Sequence, residues 1–254
     1  MPEQNTNRLW FSVGAIIVGA VIIFNFRSGI SKAATNIFGN VDSQSNIVEL
    51  NAVESLVSTN EKAKTVYDQW SEKYIITTDA GTIVNSSDDA SVKNVTSESQ
   101  GYGMLLTATA KNGTEETFDK LYDYYMNNRG HDTNLMAWQQ TYTGGSVTND
   151  DNNATDGDVF IAEALIQAAK RWPDKKSEYA TQAQNILTDI LKYNYNDEIG
   201  ILTVSNWATS TTKEWTVFRT ADVTPAFFKH FKALTGDKNW DTIYTNMIKY
   251  TKDV

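Results

Sequence analysis

The sequence contains no cysteine and only two histidines among its 254 residues. Without cysteine the chain can form no disulfide bond, no thiolate metal site and no cysteine nucleophile. With only His131 and His230, a histidine-rich metal site or a Ser-His triad is disfavoured. Basic residues are also few, 22 against 31 acidic ones, and the formal net charge is −9. Because nucleic-acid binding needs clustered lysine and arginine, this balance argues against a nucleic-acid partner.

Aromatic residues, in contrast, are abundant: the chain has 7 Trp, 12 Tyr and 10 Phe. Many acids and many aromatics in one chain are what a sugar-binding cleft would use, although the packing of a protein core consumes aromatics too. The apolar fraction of 41% is typical of a globular chain. The length fits one domain of about 220 residues with a tail, or two small domains.

The N-terminal part contains an uncharged run of 18 residues at positions 9–26, LWFSVGAIIVGAVIIFNF. As a helix this run would be about 27 Å long, close to the membrane hydrocarbon thickness of about 30 Å. It predicts a membrane-targeting segment, whereas a buried core helix would usually keep a polar face. We favour an uncleaved anchor over a signal cleaved after Ser31 and Ala33. The remainder is then expected at the extracellular face of the cell membrane, or secreted if the segment is cleaved.

The domain organisation follows from this segment and from the periodicity of the remainder. Residues 1–34 are expected to form a cytoplasmic tip and the signal anchor. Residues 35–57 have weak periodicity and are expected to be a linker. Residues 58–254 are expected to form the main domain.

Apolar residues recur with a helical period in seven stretches of this domain. The first follows a cap at Ser58 or Thr59, and the third follows a cap at Thr114. The sixth begins with Thr224 and Pro225, since proline suits the first helical position, and ends at Gly236. The others cover residues 97–110, 161–172, 183–194 and 240–251. Long polar loops separate the stretches, and the only strand considered, over residues 199–204, is minor. The predicted class is therefore all-α.

One polar segment that feeds a predicted helix is 97–104, SESQGYGM. Glu98 would lie in the first turn, near glycines that let another group approach the backbone. Its carboxylate would either take part in a reaction or only interact favourably with the helix dipole.

The second polar segment is 149–158, NDDNNATDGD, directly before the clearest helix. Thr155 or Asp156 could cap that helix, with Asp158 in its first turn. A calcium loop is another alternative, with Gly157 and Glu163 at positions six and twelve of the EF-hand pattern. That pattern fails at its first and third positions, where the chain has asparagine and alanine. Glu98 and Asp156 would suit glycosidic cleavage if the fold brings them together.

Several stretches resemble one known family. Residues 154–162 (ATDGDVFIA), with the apolar positions that follow up to Trp172, resemble the signature of glycoside hydrolase family 8. Residues 97–104 resemble its S-E-G-Q-G-Y-G-M segment and depart from it at Ser99. Residues 135–138 (LMAW) resemble its L-M-A-W segment, and residues 219–222 (RTAD) with 235–237 (TGD) resemble a later stretch. These matches follow the expected order and span about residues 63–240.

The resemblance implies an (α/α)6 toroid of six helix pairs with a sugar-binding groove across one end, and a hydrolase that inverts the anomeric centre. Glu98 would be the proton donor, with a raised pKa. Asp156 would hold the distorted sugar or act as base, and we favour the holding role. The implied substrate-binding residues are Tyr102, Trp138, Asp158, Arg219 and Asp222, although Tyr102 and Trp138 could equally be core residues. The implied partner is a polysaccharide, with β-glucan favoured and xylan or chitosan as alternatives. No cofactor and no metal are implied, and the protein is expected to be a monomer.

The resemblance also implies a base that the 254 residues lack. In the family the base is an aspartate in a Tyr-Asp-x-x-Arg segment, and no such segment follows the T-G-D stretch here. The seven helical stretches are likewise fewer than the twelve of a complete toroid. Two hypotheses follow: an endoglucanase-like hydrolase of which this sequence is the N-terminal part, or a catalytically silent, hydrolase-derived surface protein that binds glucan.

Overall fold

The computed structural model describes residues 50, 53–130 and 132–252. The seven α-helices of this part are α1 Glu61–Tyr74, α2 Ser97–Thr109, α3 Glu115–Asn127, α4 Thr155–Arg171, α5 Lys176–Tyr193, α6 Pro225–Thr235 and α7 Asn239–Lys252. They correspond to the seven periodic stretches, so the helical prediction is confirmed. The anchor predicted at residues 9–26 and His131 lie outside the described residues. None of the described helices is long and apolar enough to cross a membrane.

Most helix ends follow the local sequence. The Thr114 hydroxyl accepts a hydrogen bond from the Thr117 amide and caps α3, as predicted. Pro225 occupies the first position of α6, and Gly236 ends that helix in the left-handed region with φ 70°. The predicted cap of α1 is wrong by one or two residues. The Asn60 side chain, not Ser58 or Thr59, accepts from the Lys62 amide.

Three small antiparallel sheets accompany the helices. β1 Ile75–Thr78 pairs with β2 Gly81–Val84, and β6 Tyr195–Asn196 pairs with β7 Ile201–Leu202. β4 Gln139–Thr143 lies between β3 Val92–Thr96 and β5 Ser146–Asp150. Only β7 falls where a strand was considered. The polar loop expected between the third and fourth helical stretches therefore contains the β4–β5 hairpin, while helices still dominate the fold.

The helices α2 and α4 lie side by side and run parallel. At their N-terminal ends, a methyl group on Gly157 would lie 2.6 Å from the Ser97 Cβ atom. At their C-terminal ends, the Arg171 guanidinium donates to backbone carbonyls at and just beyond the end of α2, those of Thr107, Ala108, Ala110, Lys111 and Gly113. Arg171 thus satisfies carbonyls that a helix terminus leaves without partners. Both N-termini consequently point to the same side of the domain.

The described residues before α1 pack against α4. Leu50 and Val53 are buried in the main core. The Gln167 Oε1 atom accepts from the Leu56 amide at 3.0 Å, and the Lys170 ammonium donates to the Leu50 carbonyl at 2.8 Å. The predicted linker over residues 35–57 is therefore not a linker at these positions, because its apolar side chains complete the core.

Candidate active site

The N-termini of α2 and α4 approach each other as closely as their backbones allow. A methyl group on Gly157 would lie 2.1 Å from Ser97 Oγ and 2.7 Å from the Ser97 carbonyl carbon. A methyl group on Gly101 would lie 2.9 Å from the Gly157 carbonyl oxygen. Only glycine permits this contact. Since Glu98 follows Ser97 and Asp156 precedes Gly157, the crossing brings the two predicted carboxylates into one site.

Glu98 lies in the first turn of α2, whose start is fixed by a capping box. The Thr96 hydroxyl accepts from the Ser99 amide, and the Ser99 hydroxyl accepts from the Thr96 amide, each at 3.0 Å. Ser99 also donates to the Val84 carbonyl of β2 at 3.0 Å. The position at which the sequence departs from the family's segment therefore has a structural role, because it holds the turn that carries Glu98.

The environment of Glu98 favours its protonated form. Burial raises the pKa of Glu98, and the negative charge of Asp156 raises it further. The Tyr102 hydroxyl donates to Glu98 Oε1 at 3.0 Å, and this bond and the charge of Arg219 oppose the increase. A carboxylic acid whose pKa is raised in this way keeps its proton to higher pH, as a general acid requires.

Asp156 lies beside Arg219, which the family resemblance assigns to substrate binding. Arg219 Nη2 is 3.4 Å from Asp156 Oδ1. The same guanidinium binds Asp222 through two hydrogen bonds, Nε to Oδ2 at 2.9 Å and Nη2 to Oδ1 at 2.7 Å. Asp222 is completely buried, and burial raises its pKa to about 7 against the effect of Arg219. Asp222 therefore orients Arg219 and has no exposed surface for direct contact with a sugar.

Asp158 is also buried, with 0% of its surface exposed. Its carboxylate accepts from the Met136 amide at 2.8 Å and from Asn153 Nδ2 at 2.7 Å. Burial raises the pKa of Asp158 to about 8, although both hydrogen bonds oppose the increase. The structure thus leaves no surface of Asp158 for direct contact with a sugar, and the side chain instead attaches the loop around Met136 to α4.

Two of the predicted aromatic residues stand beside Glu98. The Trp138 carbonyl accepts from the Ser97 amide at 2.9 Å, and its own amide donates to the Asn152 carbonyl at 2.7 Å. Its side chain is partly exposed, as is that of Tyr102. The Tyr102 ring packs edge-on against Phe160 with centroids 4.5 Å apart. The Tyr102 ring is therefore held by Phe160 and Glu98, whereas for Trp138 the backbone is fixed next to Ser97. Both residues keep some exposed surface.

A third exposed ring, Trp207, was missed in the sequence. It is 45% exposed, in a segment bound to the start of α4. The Thr155 amide donates to the Val204 carbonyl at 3.3 Å, and the Ser205 hydroxyl donates to the Asn153 carbonyl at 2.6 Å. A tryptophan within a run of Ser, Asn and Thr was the available signal, since such a loop cannot bury a large ring by itself.

The start of α4 is not capped as expected. Ala154 occupies the cap position without a side-chain hydrogen bond, and the Thr155 hydroxyl donates to the Thr203 carbonyl at 2.6 Å.

Across residues 53–130 and 132–252, no three carboxylate or imidazole groups cluster as a metal site requires. His230 lies within this part and pairs with Glu163, Nδ1 to Oε1 at 2.8 Å.

Comparison with known proteins connects this site to one family. The family model described as "Glycosyl hydrolases family 8" matches residues 42–253. A beta-glucanase of Niallia circulans is 33% identical over 195 residues, which are 75% of this chain and 46% of the relative. Endoglucanase 2 of Ruminiclostridium josui is 31% identical over 74% of this chain and 40% of its own length. The chain thus spans less than half the length of these two relatives.

Solved structures show the same fold. A β-1,3-1,4-glucanase from Paenibacillus sp. X4 aligns with a TM-score of 0.68 at 28% identity, over 76% of this chain and 52% of that one. An endoglucanase from Komagataeibacter sucrofermentans aligns with a TM-score of 0.56 at 28% identity, over 74% and 57% of the two chains. The likeness confirms the predicted helical toroid class, to which the described residues contribute seven helices.

Proposed function

This chain belongs to glycosyl hydrolases family 8, and from that premise we propose that it hydrolyses internal β-1,4-type bonds of a β-glucan with inversion, using Glu98 as the general acid. The observation that carries the proposal is the placement of Glu98. It is a carboxylic acid with a raised pKa beside a second carboxylate, Asp156, at the shared end of two parallel helices.

Glu98 would protonate the glycosidic oxygen as the bond to the leaving sugar breaks. An inverting hydrolase needs this acid on one side of the scissile bond and a base that activates water on the other. Both the burial of Glu98 and its neighbour Asp156 keep the proton available. Glu98 is thus the acid, and none of the described residues is assigned as the base.

Asp156 would hold the sugar next to the scissile bond. Its Oδ1 atom accepts from the Gly157 amide at 2.9 Å and lies within ion-pair distance of Arg219. A carboxylate held in this way is fixed in place and can accept hydrogen bonds from sugar hydroxyls. Bonds of that kind accelerate the reaction when they are stronger in the transition state than in the ground state.

The exposed rings and the names of the relatives support a β-glucan as substrate. The Tyr102 hydroxyl contacts Glu98, and the exposed surfaces of Trp138 and Trp207 belong to segments that are hydrogen-bonded to the starts of α2 and α4. The matched relatives are named beta-glucanase and endoglucanase. Residues 9–26 form an uncharged run long enough to target a membrane, and a hydrolase of this kind would act at the extracellular face, where such a polysaccharide is accessible.

The test is the configuration of the first product. The full-length protein is incubated with soluble β-glucan, and the anomeric protons of new reducing ends are followed by NMR while viscosity reports internal cleavage. We expect a rapid fall in viscosity and the α-anomer as the first product, because water attacks the face opposite the leaving group. A β-anomer that forms first would contradict inversion. Binding of glucan without any cleavage would favour the silent, glucan-binding surface protein.

Replacing Tyr102 by phenylalanine should change the pH dependence of hydrolysis. The variant loses the hydroxyl that stabilises the ionised form of Glu98, so the pKa of Glu98 should rise. Since the general acid works in its protonated form, the alkaline limb of kcat/KM should move to higher pH. The loss of one hydrogen bond should change kcat at the optimum by about tenfold or less. The measurement is kcat/KM on soluble β-glucan across the pH range.

The control is Tyr67→Phe, which removes another tyrosine hydroxyl that contacts the same helix. The Tyr67 hydroxyl lies 3.1 Å from Thr107 Oγ1, near the opposite end of α2. This variant should keep the parent pH profile. An alkaline limb that stays in place in Tyr102→Phe, or moves to lower pH, would show that Tyr102 does not act on Glu98.

A further inference from the structure

Asn153 is a buried polar residue that connects two otherwise separate loops to the start of α4. It is 3% exposed and lies two residues before the first residue of that helix. Its side-chain nitrogen donates to Asp158, which holds the segment around Trp138. Its side-chain oxygen accepts from the backbone of the segment around Trp207.

On the first side, Asn153 supports the Trp138 segment. Asn153 Nδ2 donates to Asp158 Oδ2 at 2.7 Å, and the other oxygen of Asp158 accepts from the Met136 amide at 2.8 Å. The neighbouring Asn152 carbonyl accepts from the Trp138 amide at 2.7 Å. The backbone on either side of Ala137 is therefore attached to residues 152–158.

On the second side, Asn153 supports the Trp207 segment. Its Oδ1 atom accepts from the Asn206 amide at 2.7 Å, directly before Trp207. The Asn153 carbonyl accepts from the Ser205 hydroxyl at 2.6 Å. Trp207 itself is exposed, so its place relative to Asp156 depends on these bonds to the backbone next to it.

Only an amide side chain of this length meets both requirements. A carboxylate needs a donor, and a backbone N–H needs an acceptor. Aspartate at this position would accept from the Asn206 amide but would face Asp158 with a second carboxylate. Alanine would leave the buried Asp158 carboxylate with one fewer donor and the Asn206 amide without this acceptor, which is costly for buried polar groups.

We propose that Asn153 is a positioning residue that fixes the spacing between the Trp138 and Trp207 segments, and thereby sets how the groove binds glucan chains long enough to reach both rings. The proposal rests on the proposed function, because it assumes a sugar groove between these segments. Short sugars that contact only the residues around Glu98 and Asp156 would not need the spacing. Long chains would, because they contact both segments at once, and a misplaced segment loses its share of the binding free energy.

The test compares the affinities of cellohexaose and cellobiose by calorimetry, in the full-length protein that carries Glu98→Gln so that nothing is hydrolysed. Adding Asn153→Ala should weaken cellohexaose binding at least about tenfold and cellobiose binding less than about threefold. The matched control is Asn194→Ala. Asn194 is also buried, and its Nδ2 atom donates to Thr155 Oγ1 at 2.6 Å and to Asn153 Oδ1 at 3.3 Å, both outside the two ring segments. This variant should leave the ratio of the two affinities unchanged.

The ratio of the cellohexaose and cellobiose affinities decides between the two roles of Asn153. If this ratio changes equally in both alanine variants, or in neither, the proposal is overturned, because Asn153 would then matter only for stability. If Asn153→Ala does not fold, Ser205→Ala removes the hydroxyl that donates to the Asn153 carbonyl at 2.6 Å and also lies 3.1 Å from Asn206 Oδ1. This variant should show a smaller selective loss for cellohexaose. A parent that binds both sugars with the expected selectivity but hydrolyses no glucan would refute the function and leave this inference standing. A parent that binds neither sugar would contradict both.

Discussion

Replacing Glu98 by glutamine should lower the hydrolysis of β-glucan by about 10²- to 10⁴-fold and leave the affinity for glucan nearly unchanged. Glutamine keeps the shape of the side chain and can still accept from the Tyr102 hydroxyl, which lies 3.0 Å from Glu98 Oε1. It has no proton to transfer to the glycosidic oxygen. The measurement is kcat and KM on soluble β-glucan, with affinity measured separately by calorimetry.

The matched control is Glu116→Gln, the same substitution in the first turn of another helix. Glu116 is exposed at the start of α3, where it pairs with Lys120 at 2.7 Å, and its replacement should not affect turnover. An aryl glycoside with a good leaving group needs little protonation and should lose less activity in Glu98→Gln than glucan does. Equal rates on glucan for Glu98→Gln and the parent would remove Glu98 from the mechanism.

Replacing Gly157 by alanine should separate the two helices that form the site. The added methyl group would lie 2.1 Å from Ser97 Oγ and 2.7 Å from the Ser97 carbonyl carbon, so rotation of the serine side chain cannot relieve the clash. We expect a loss of about 3 kcal/mol or more in the free energy of unfolding, at the upper end for overpacked sites. Activity should fall at least about 10²-fold even below the melting temperature, because Glu98 and Asp156 move apart. Chemical denaturation and assays at low temperature measure the two effects.

Gly103→Ala is the control for this prediction. Its methyl group would meet the Val84 Cγ2 atom of β2 at 2.2 Å, on the same helix but away from α4. A side chain can shift more readily than a backbone, and the α2–α4 crossing is not affected. This variant should lose stability and keep most of its activity at low temperature. Comparable activity losses in the two variants would show that the crossing at Gly157 has no special role.

The helices could be predicted because each has a local signal. Thr114 caps α3, Pro225 starts α6 and Gly236 ends it, and in each case the residue acts on its own neighbours in the sequence. The cap of α4 was not predictable in this way. Thr155 has the right side chain for a cap but uses it on the Thr203 carbonyl, 48 positions away.

The strands and the detailed site depend on distant contacts, which a single sequence does not reveal. All residues of β5 are exposed, so this strand lacks the alternation of apolar and polar residues that identifies a strand. The family motifs led to Glu98 and Asp156, and the structure places the two near each other. The same motifs could not show that Asp158 is buried, because its partner, the Met136 amide, lies 22 positions away in the sequence. Asp222 binds Arg219 within one motif, but its complete burial depends on the tertiary fold.

The attachment of α2 to α4 at both ends restricts how this chain can change in length. Ser97 meets Gly157 at one end, and Arg171 binds the carbonyls at and beyond the end of α2 at the other. A single inserted or deleted residue within either helix would rotate its remaining part by about 100° and break one of the two attachments. Length variation should therefore concentrate in segments such as the turn at Gly144 and Gly145, where a side chain would meet no atom within 4 Å. For directed evolution, this turn is the place for insertions, and the two helices should be varied by substitution alone.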